Sequence, residues 1–217
     1  MTTTETTNRT APQEPLRSDA QRIALISDTH FMAEDGSDVP QPLLDALAGV
    51  ELILHLGHVS SAAGLNRLES VAPVIAVQTD LDNKLMGEHL AAEVSGGRTA
   101  GYTRILEAGG LRVGLVHDIS VRGVEVPLVE ENDAQRLAFP DASMAEILTS
   151  KFGAPVDIVA FAATHQPMVL HRQGVLLVNP GSPNLPSGRR KGGARTLAVL
   201  NLRDGVAEVE IIELGGQ

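Results

Sequence analysis

In the segment "RIALISDTH", residues 22–30, an apolar run gives way to an aspartate and a histidine. Similar apolar runs occupy residues 51–56, 73–78, 111–117, 156–162 and 174–179. They are continuous rather than alternating, which is typical of strands that are covered on both faces. The pattern predicts buried strands at all of these positions.

Helical patterns separate several of these strands. We expect helices over residues 40–50, 61–72 and 142–152. Alternation of strands and helices at this spacing predicts right-handed βαβ units and a largely parallel sheet. The C-terminal part instead predicts two hairpins, over residues 167–179 and 196–214, and hence an antiparallel section. The expected fold class is α/β.

Composition narrows the class of protein. With 217 residues and 43% apolar content, the chain can form one core, and we expect a single domain over residues 21–217. Residues 1–20 are rich in Thr, Glu and Pro, which predicts a disordered N-terminal tail. A net charge of −10 argues against general binding to nucleic acid or to an anionic membrane.

The absence of cysteine excludes disulfides, thiolate metal sites and cysteine nucleophiles. No stretch approaches the length of an apolar membrane span, and the N-terminus lacks the features of a signal peptide. We therefore expect a cytoplasmic protein with no membrane association.

Polar residues gather where the predicted strands end. In an open α/β sheet, ligands bind outside the carboxyl ends of the strands, so these residues are expected to meet on one rim. They include Asp28, His30, His58, Asp80, His117 and His165. A single histidine of this kind is more often a hydrogen-bonded loop or core residue. Four histidines with two aspartates favour a divalent metal held by imidazole and carboxylate, such as Mn²⁺, Fe²⁺, Zn²⁺ or Ni²⁺.

The order of these clusters resembles the calcineurin-like metallophosphoesterases, in particular their small single-domain bacterial and archaeal phosphodiesterases. The family pattern is Asp-x-His, Gly-Asp, Gly-Asn-x-Asp, a strand-end His, Gly-His-x-His and Asn-Pro-Gly-Ser. The matching blocks are "DTH" (28–30), "GH" (57–58), "TDLD" (79–82), "VHD" (116–118), "AATH" (162–165) and "NPGSP" (179–183). The resemblance covers about residues 22–213. It implies a four-layer α/β/β/α sandwich with mixed sheets and a metal site on its rim.

The same resemblance implies a hydrolase that cleaves a phosphodiester or phosphomonoester with a metal-activated water. The residues that it marks as catalytic are Asp28, His30, Asp80 and His117. Three departures from the family pattern fall on metal ligands. His58 stands where an aspartate bridges two metals, Asp80 replaces the asparagine, and Ala163 replaces the first histidine of Gly-His-x-His.

These departures bear on how many ions the site holds. By the resemblance, the first metal keeps Asp28, His30 and His165, with His58 as a potential fourth ligand. The second metal keeps only Asp80 and His117. Neutral imidazole offers one lone pair and cannot span two cations as a carboxylate does. The expected cofactor is therefore one or two divalent ions, with activity reduced relative to the family.

A second interpretation belongs to a different class of protein. The retromer scaffold subunit, a relative of these enzymes, also departs at the bridging aspartate and the asparagine, so the chain is either a phosphoesterase or a binding scaffold. Residues 121–139 are the one long excursion that offers a scaffold its interaction surface, and the alternative is a surface cap over the edge of the site. For the enzyme we expect a small phosphate-ester substrate. The basic cluster at residues 187–195 is expected to be a solvated loop, with Arg189 or Arg190 as a phosphate contact in the alternative interpretation. The oligomeric state stays open, a dimer included.

Overall fold

The structure is a computed structural model that describes residues 14–86, 101–120, 126, 128–131, 134–138, 143–184 and 194–215. Its strands are β1 Leu16–Arg17, β2 Arg22–Ile26, β3 Leu52–His55, β4 Val74–Ala76, β5 Thr103–Ala108, β6 Leu111–Val116, β7 Leu128–Glu131, β8 Ala134–Leu137, β9 Ile158–Ala160, β10 Pro167–Arg172, β11 Val175–Pro180, β12 Arg195–Arg203 and β13 Val206–Leu214. Its helices are α1 Gln41–Ala46, α2 Ala62–Glu69, α3 Asp80–Met86 and α4 Met144–Phe152. None of these described helices has the length and apolar character needed to cross a membrane.

The first sheet contains five strands in the order β13-β12-β2-β3-β4. Strands β2, β3 and β4 are parallel, whereas β12 and β13 form the predicted C-terminal hairpin and β12 pairs antiparallel with β2. Leu43 of α1 and Leu65 of α2 pack with Ile26 and Ile53 on one face of this sheet. The βαβ units predicted from the sequence are thus confirmed for its parallel strands.

The second sheet contains six strands in the order β1-β5-β6-β9-β11-β10. Strands β6, β9 and β11 are parallel, and β10 and β11 form the other predicted hairpin. Leu115 and Val178 of this sheet share a core with Leu25 and Leu54 of the first sheet, so the sheets pack face to face. Ile147 of α4 covers the outer face. The four-layer α/β/β/α sandwich with mixed sheets is confirmed.

The structured part begins before residue 21, where the sequence placed the domain boundary. Leu16 and Arg17 pair with Leu106 and Glu107 of β5, and Leu16 packs against the core. Ser18 N donates to Glu107 O at 3.0 Å, and Ala20 is buried. Two backbone pairings and one leucine suffice to hold a segment whose composition is otherwise that of a tail. Residues 1–13, the remainder of the predicted tail, lie outside the described residues.

Candidate metal centre

The loops after β2 and β3 lie side by side and hold each other through backbone hydrogen bonds. Asp28 N donates to Gly57 O at 3.0 Å, and His30 N donates to His58 O at 3.1 Å. Both loops leave parallel neighbouring strands at their carboxyl ends, where side chains from separate parts of the chain converge. This pairing places "DTH" directly beside "GH".

The backbone of this rim is strained. Non-glycine residues with positive φ are found at Asp28, His30, His58, Ser60, Ala163 and His165. Each such residue costs about 1–3 kcal/mol and persists only where surrounding contacts hold it in place. The strained positions include four of the predicted site residues, and their backbone conformation aims these side chains at a common point.

Asp28 lies at the centre of the site. Its side chain is fully buried, and its Oδ1 lies 2.7 Å from His58 Nδ1, 3.2 Å from His165 Nε2 and 3.9 Å from His117 Nε2. Ligand atoms of Asp28, His30 and His58 all lie within 4.8 Å of one another. The ring centroids of His30 and His58 are 5.0 Å apart, and those of His58 and His117 are 4.2 Å apart. The structure therefore brings five of the six predicted metal ligands together.

The protonation states suit metal binding. Burial lowers the pKa of His30 and of His117, so both rings are neutral near pH 7 and have a lone pair to offer. Burial also disfavours the charged form of Asp28, but hydrogen bonds from His165 and His58 outweigh it and hold the pKa of Asp28 far below its usual value. The hydrogen bond to Asp28 raises the pKa of His165. The carboxylate is thus ionised at the point where the imidazoles meet.

The tautomer of His117 is fixed by the backbone. Its Nδ1 lies 2.7 Å from Leu56 O, a carbonyl that can only accept, so Nδ1 carries the proton. The Nε2 lone pair is left on the side that faces Asp28 Oδ1. Histidines that bind metals are commonly oriented in this way, with the second ring nitrogen donating to a carbonyl or carboxylate.

One atom of the cluster shows that the residues fit a cation. Asp28 Oδ2 is buried and has no hydrogen-bond partner within the part of the chain that the structure describes. A buried carboxylate oxygen without a partner carries a desolvation cost that a bound cation would remove. A donor set of imidazole nitrogens and one carboxylate, with no sulfur, is typical of sites for divalent transition metals.

Asp80, the sixth predicted ligand, has a different environment. It is the first residue of α3, its side chain is exposed, and its Oδ1 accepts a hydrogen bond from Tyr102 Oη at 3.0 Å. Ala163, at φ 64°, is also exposed and has no ligand atom. Of the positions that the family pattern places around a second metal, Ala163 offers no ligand atom and Asp80 is exposed.

Two buried polar residues that support the rim were not singled out from the sequence. Asp82 accepts hydrogen bonds from the backbone N–H of His58 at 3.0 Å, of Ser60 at 3.2 Å and of Thr79 at 3.0 Å. It also accepts from the Thr79 hydroxyl at 2.8 Å. His55 lies within β3 beneath the two loops and is fully buried. The signal available for His55 was a histidine inside an otherwise apolar run.

The "NPGS" block supports the loop after β2 from the other sheet. Ser182 Oγ donates to Asp28 O at 2.9 Å, and Asn184 Nδ2 donates to Thr29 O at 2.7 Å. Gly181 has φ 75°, and a Cβ at this position would lie 2.0 Å from Thr196 Oγ1, so glycine is required there. The block and the neighbouring Asn184 thus hold the loop that carries Asp28. Arg189 and Arg190, the candidate phosphate contacts, lie outside the described residues.

Comparison with known proteins gives the following matches. The profile of the calcineurin-like phosphoesterase superfamily domain matches residues 22–205. A probable metallophosphoesterase of Methanothermobacter thermautotrophicus is 34% identical over 165 residues, which are 76% of this chain and 78% of that protein. A solved archaeal phosphodiesterase superposes with a TM-score of 0.56 at 16% identity, covering 88% of this chain and 99% of that one. Wild-type Vps29 of Entamoeba histolytica complexed with Zn²⁺ gives 0.56 at 18% identity, covering 89% and 99%.

Proposed function

The chain belongs to the calcineurin-like phosphoesterase superfamily, and from this membership we propose that it is a metal-dependent phosphoesterase with an altered metal centre. The observation that carries the proposal is the convergence of three imidazole nitrogens within 3.9 Å of the Asp28 Oδ1 atom. The substrate that we propose is a small phosphate monoester or diester, and a cytoplasmic location remains part of the proposal.

We assign one tightly bound divalent ion to this centre. Asp28, His30 and His165 would hold it, and His58 is close enough to Asp28 to supply a fourth ligand. A second ion would have to rely on Asp80 and His117. Asp80 is exposed and hydrogen-bonded to Tyr102, and the imidazole of His58 cannot bridge two ions.

The residues around the ion have different roles in the proposed hydrolysis. When bound, a divalent ion supplies the positive charge that stabilises a phosphoryl oxygen as negative charge develops on it. Asp28 and the histidine ligands would fix the position of the bound ion. The side chains of His58 and His165 are 23% and 30% exposed, so a substrate can reach them from solvent. His117, neutral and with its Nε2 lone pair free of the proton, is suited to accept a proton at that atom.

Metal content and hydrolysis of two chromogenic esters test this proposal. After loading with Mn²⁺, Fe²⁺, Zn²⁺ or Ni²⁺, elemental analysis should find one ion per chain. Asp28→Ala and His165→Ala should each weaken binding by more than about 100-fold, because each removes a ligand of the better-preserved site. His171→Ala, at an exposed position on β10, is the matched control and should bind as the parent does.

Slow hydrolysis of bis-p-nitrophenyl phosphate or p-nitrophenyl phosphate should depend on the loaded ion. Two ions per unmutated chain would refute the mononuclear centre. If the chain bound no ion under any loading condition, the proposal that it is a metal-dependent phosphoesterase would be refuted.

The absence of a ligand side chain at Ala163 favours a second candidate, a protein-binding platform without catalysis. Its expected interaction surface, residues 121–139, contains the β7–β8 hairpin, although parts of this segment lie outside the described residues. At 18% identity the likeness to Vps29 concerns the fold alone. An ion-free chain that resists every loading condition is the outcome that would select this candidate.

A further inference from the structure

His55 joins the two loops that carry the metal ligands. Its side chain is 1% exposed, and its ring lies between the backbone after β3 and the side chain of Thr29 after β2. Gly57 N lies 3.3 Å from His55 Nδ1 and can only donate, so Nδ1 is the unprotonated nitrogen. Nε2 then carries the proton and donates to Thr29 Oγ1 at 2.9 Å. Burial lowers the pKa of His55 to about 4, in agreement with a ring that keeps a single proton.

Thr29 connects His55 to the loops that carry the ligands. It lies between Asp28 and His30 in the chain, is fully buried, and its hydroxyl has the carbonyl of His58 at 3.5 Å as its own acceptor. A continuous path therefore runs from Gly57 N–H through the ring of His55 and the hydroxyl of Thr29 to the His58 carbonyl. Both ends of the path, Gly57 and His58, lie on the "GH" loop. Thr29, in the middle of the path, belongs to the "DTH" loop, so the path links the two loops.

The backbone on both sides of this path needs such support. Asp28, His30 and His58 have φ values of 53°, 46° and 55°, a region that non-glycine residues leave unless neighbouring contacts hold them there. A neutral imidazole presents an acceptor and a donor on opposite edges of one rigid ring. Asn or Gln at position 55 can match only one of those edges.

We propose that His55 is a positioning residue that acts through Thr29 to hold Asp28 and His30 in the conformation that lets them meet His58. The consequence for metal affinity rests on the proposed function. The effect on the backbone does not, because it can be measured in the metal-free protein. The side-chain hydrogen bonds of His55 within the described part of the chain go to Thr29 and Gly57, so it acts on the ligands through these neighbours.

Amide hydrogen exchange in the metal-free protein tests the positioning. Thr29→Val keeps the shape of the side chain and removes the hydroxyl, so it leaves the buried Nε2–H of His55 without a partner. We expect the amides of Asp28 and His30 to exchange roughly tenfold faster, the effect of losing one buried hydrogen bond. The amide of Phe161, which donates to Val178 O at 3.0 Å, is the internal reference and should not change.

Matched variants separate positioning from general stability. Thr29→Ser keeps the hydroxyl and should exchange as the parent does, while His171→Gln controls for loss of an exposed histidine. His55→Gln and His55→Asn should each accelerate the same two amides, and if either fails to fold, the Thr29 pair decides alone.

In Mn²⁺ titrations, Thr29→Val should bind about tenfold more weakly than Thr29→Ser. Unchanged exchange at Asp28 and His30, or equal acceleration at Phe161, would overturn the proposal. A parent that binds none of Mn²⁺, Fe²⁺, Zn²⁺ and Ni²⁺ would refute the proposed function, while the exchange data would still decide the role of His55.

Discussion

Among single residues, His58 is the one on which the proposed number of ions depends. Its Nδ1 lies 2.7 Å from Asp28 Oδ1, so an aspartate at position 58 would place a second carboxylate beside a buried one. Two carboxylates at this distance repel each other unless a cation lies between them. The histidine relieves that repulsion in the absence of metal but cannot act as a bridge.

We predict that His58→Asp combined with Ala163→His raises the metal content toward two ions per chain and accelerates hydrolysis of bis-p-nitrophenyl phosphate. The double change restores the bridging carboxylate and the missing second-site histidine. Ala163 already has φ 64°, so the new side chain adds little backbone strain. Elemental analysis after metal loading, together with the diester assay, gives the result.

The two single variants are the controls for this prediction. Each leaves the second ion short of a ligand and should stay near one ion per chain. His58→Asp alone should also make the metal-free protein less stable, because of the carboxylate repulsion, and make its stability depend on added metal. A single variant that reached two ions would show that the other position does not matter.

Position at the end of a strand predicted most, but not all, of the residues that meet in the cluster around Asp28. Asp28, His30, His58, His117 and His165 follow strands directly, and the structure brings them together. Asp80 also follows a strand but begins α3, and the direction of a side chain at a helix start depends on how the helix is packed. His55 and Asp82 were missed because a buried polar residue is explained only by its partners, which lie elsewhere in the chain.

At the scale of elements, Asp82 ties α3 to the loop after β3. Its Oδ2 accepts from His58 N, Thr79 N and the Thr79 hydroxyl, and its Oδ1 accepts from Ser60 N. A carboxylate is suited to this arrangement because both of its oxygens accept. The helix and the loop that carries His58 are therefore one connected unit.

We predict that Asp82→Asn lowers the free energy of unfolding by about 2–4 kcal/mol. The amide places an NH₂ donor against backbone N–H groups and leaves at least one of them without an acceptor. Denaturant unfolding of the metal-free protein measures the change. Asp80→Asn, at an exposed position on the same helix, is the matched control and should stay within about 0.5 kcal/mol of the parent. Equal unfolding curves for the two variants would contradict the role of Asp82.

The elements that the sequence left out are those without a continuous apolar run. In β5 three half-buried positions interrupt the buried ones, and "TRILEA" carries two charges, so it lacks the signal of a doubly covered strand. Strand β1 has only two residues and forms because β5 presents a free edge to it. Periodicity detects the buried strands, whereas pairing at a sheet edge depends on the assembled neighbour.

At the scale of the whole molecule, the packing of the two sheets builds the site. Strands β2 and β3 of one sheet and β6 and β9 of the other are followed by the loops that carry Asp28, His58, His117 and His165. Apolar periodicity predicted an α/β fold with parallel and antiparallel parts. The face-to-face arrangement of two sheets was predicted only by the resemblance to a known family. Local sequence shows that a strand face is buried, but it does not show which element packs against that face.

Two N-terminal deletions test where the folded part of the chain begins. Deleting residues 1–13, which contain few apolar side chains, should leave the melting temperature within about 1 °C of the parent. Deleting residues 1–20 removes the packing of Leu16, the Ser18 N–H bond to Glu107 and the buried Ala20. Together these contribute about 2 kcal/mol, which corresponds to a decrease of about 4–8 °C for a chain of this size. Leu16→Ala in the full chain should reproduce part of that loss in a thermal scan. Identical melting temperatures for both deletions would instead support the boundary at residue 20 that the sequence predicted.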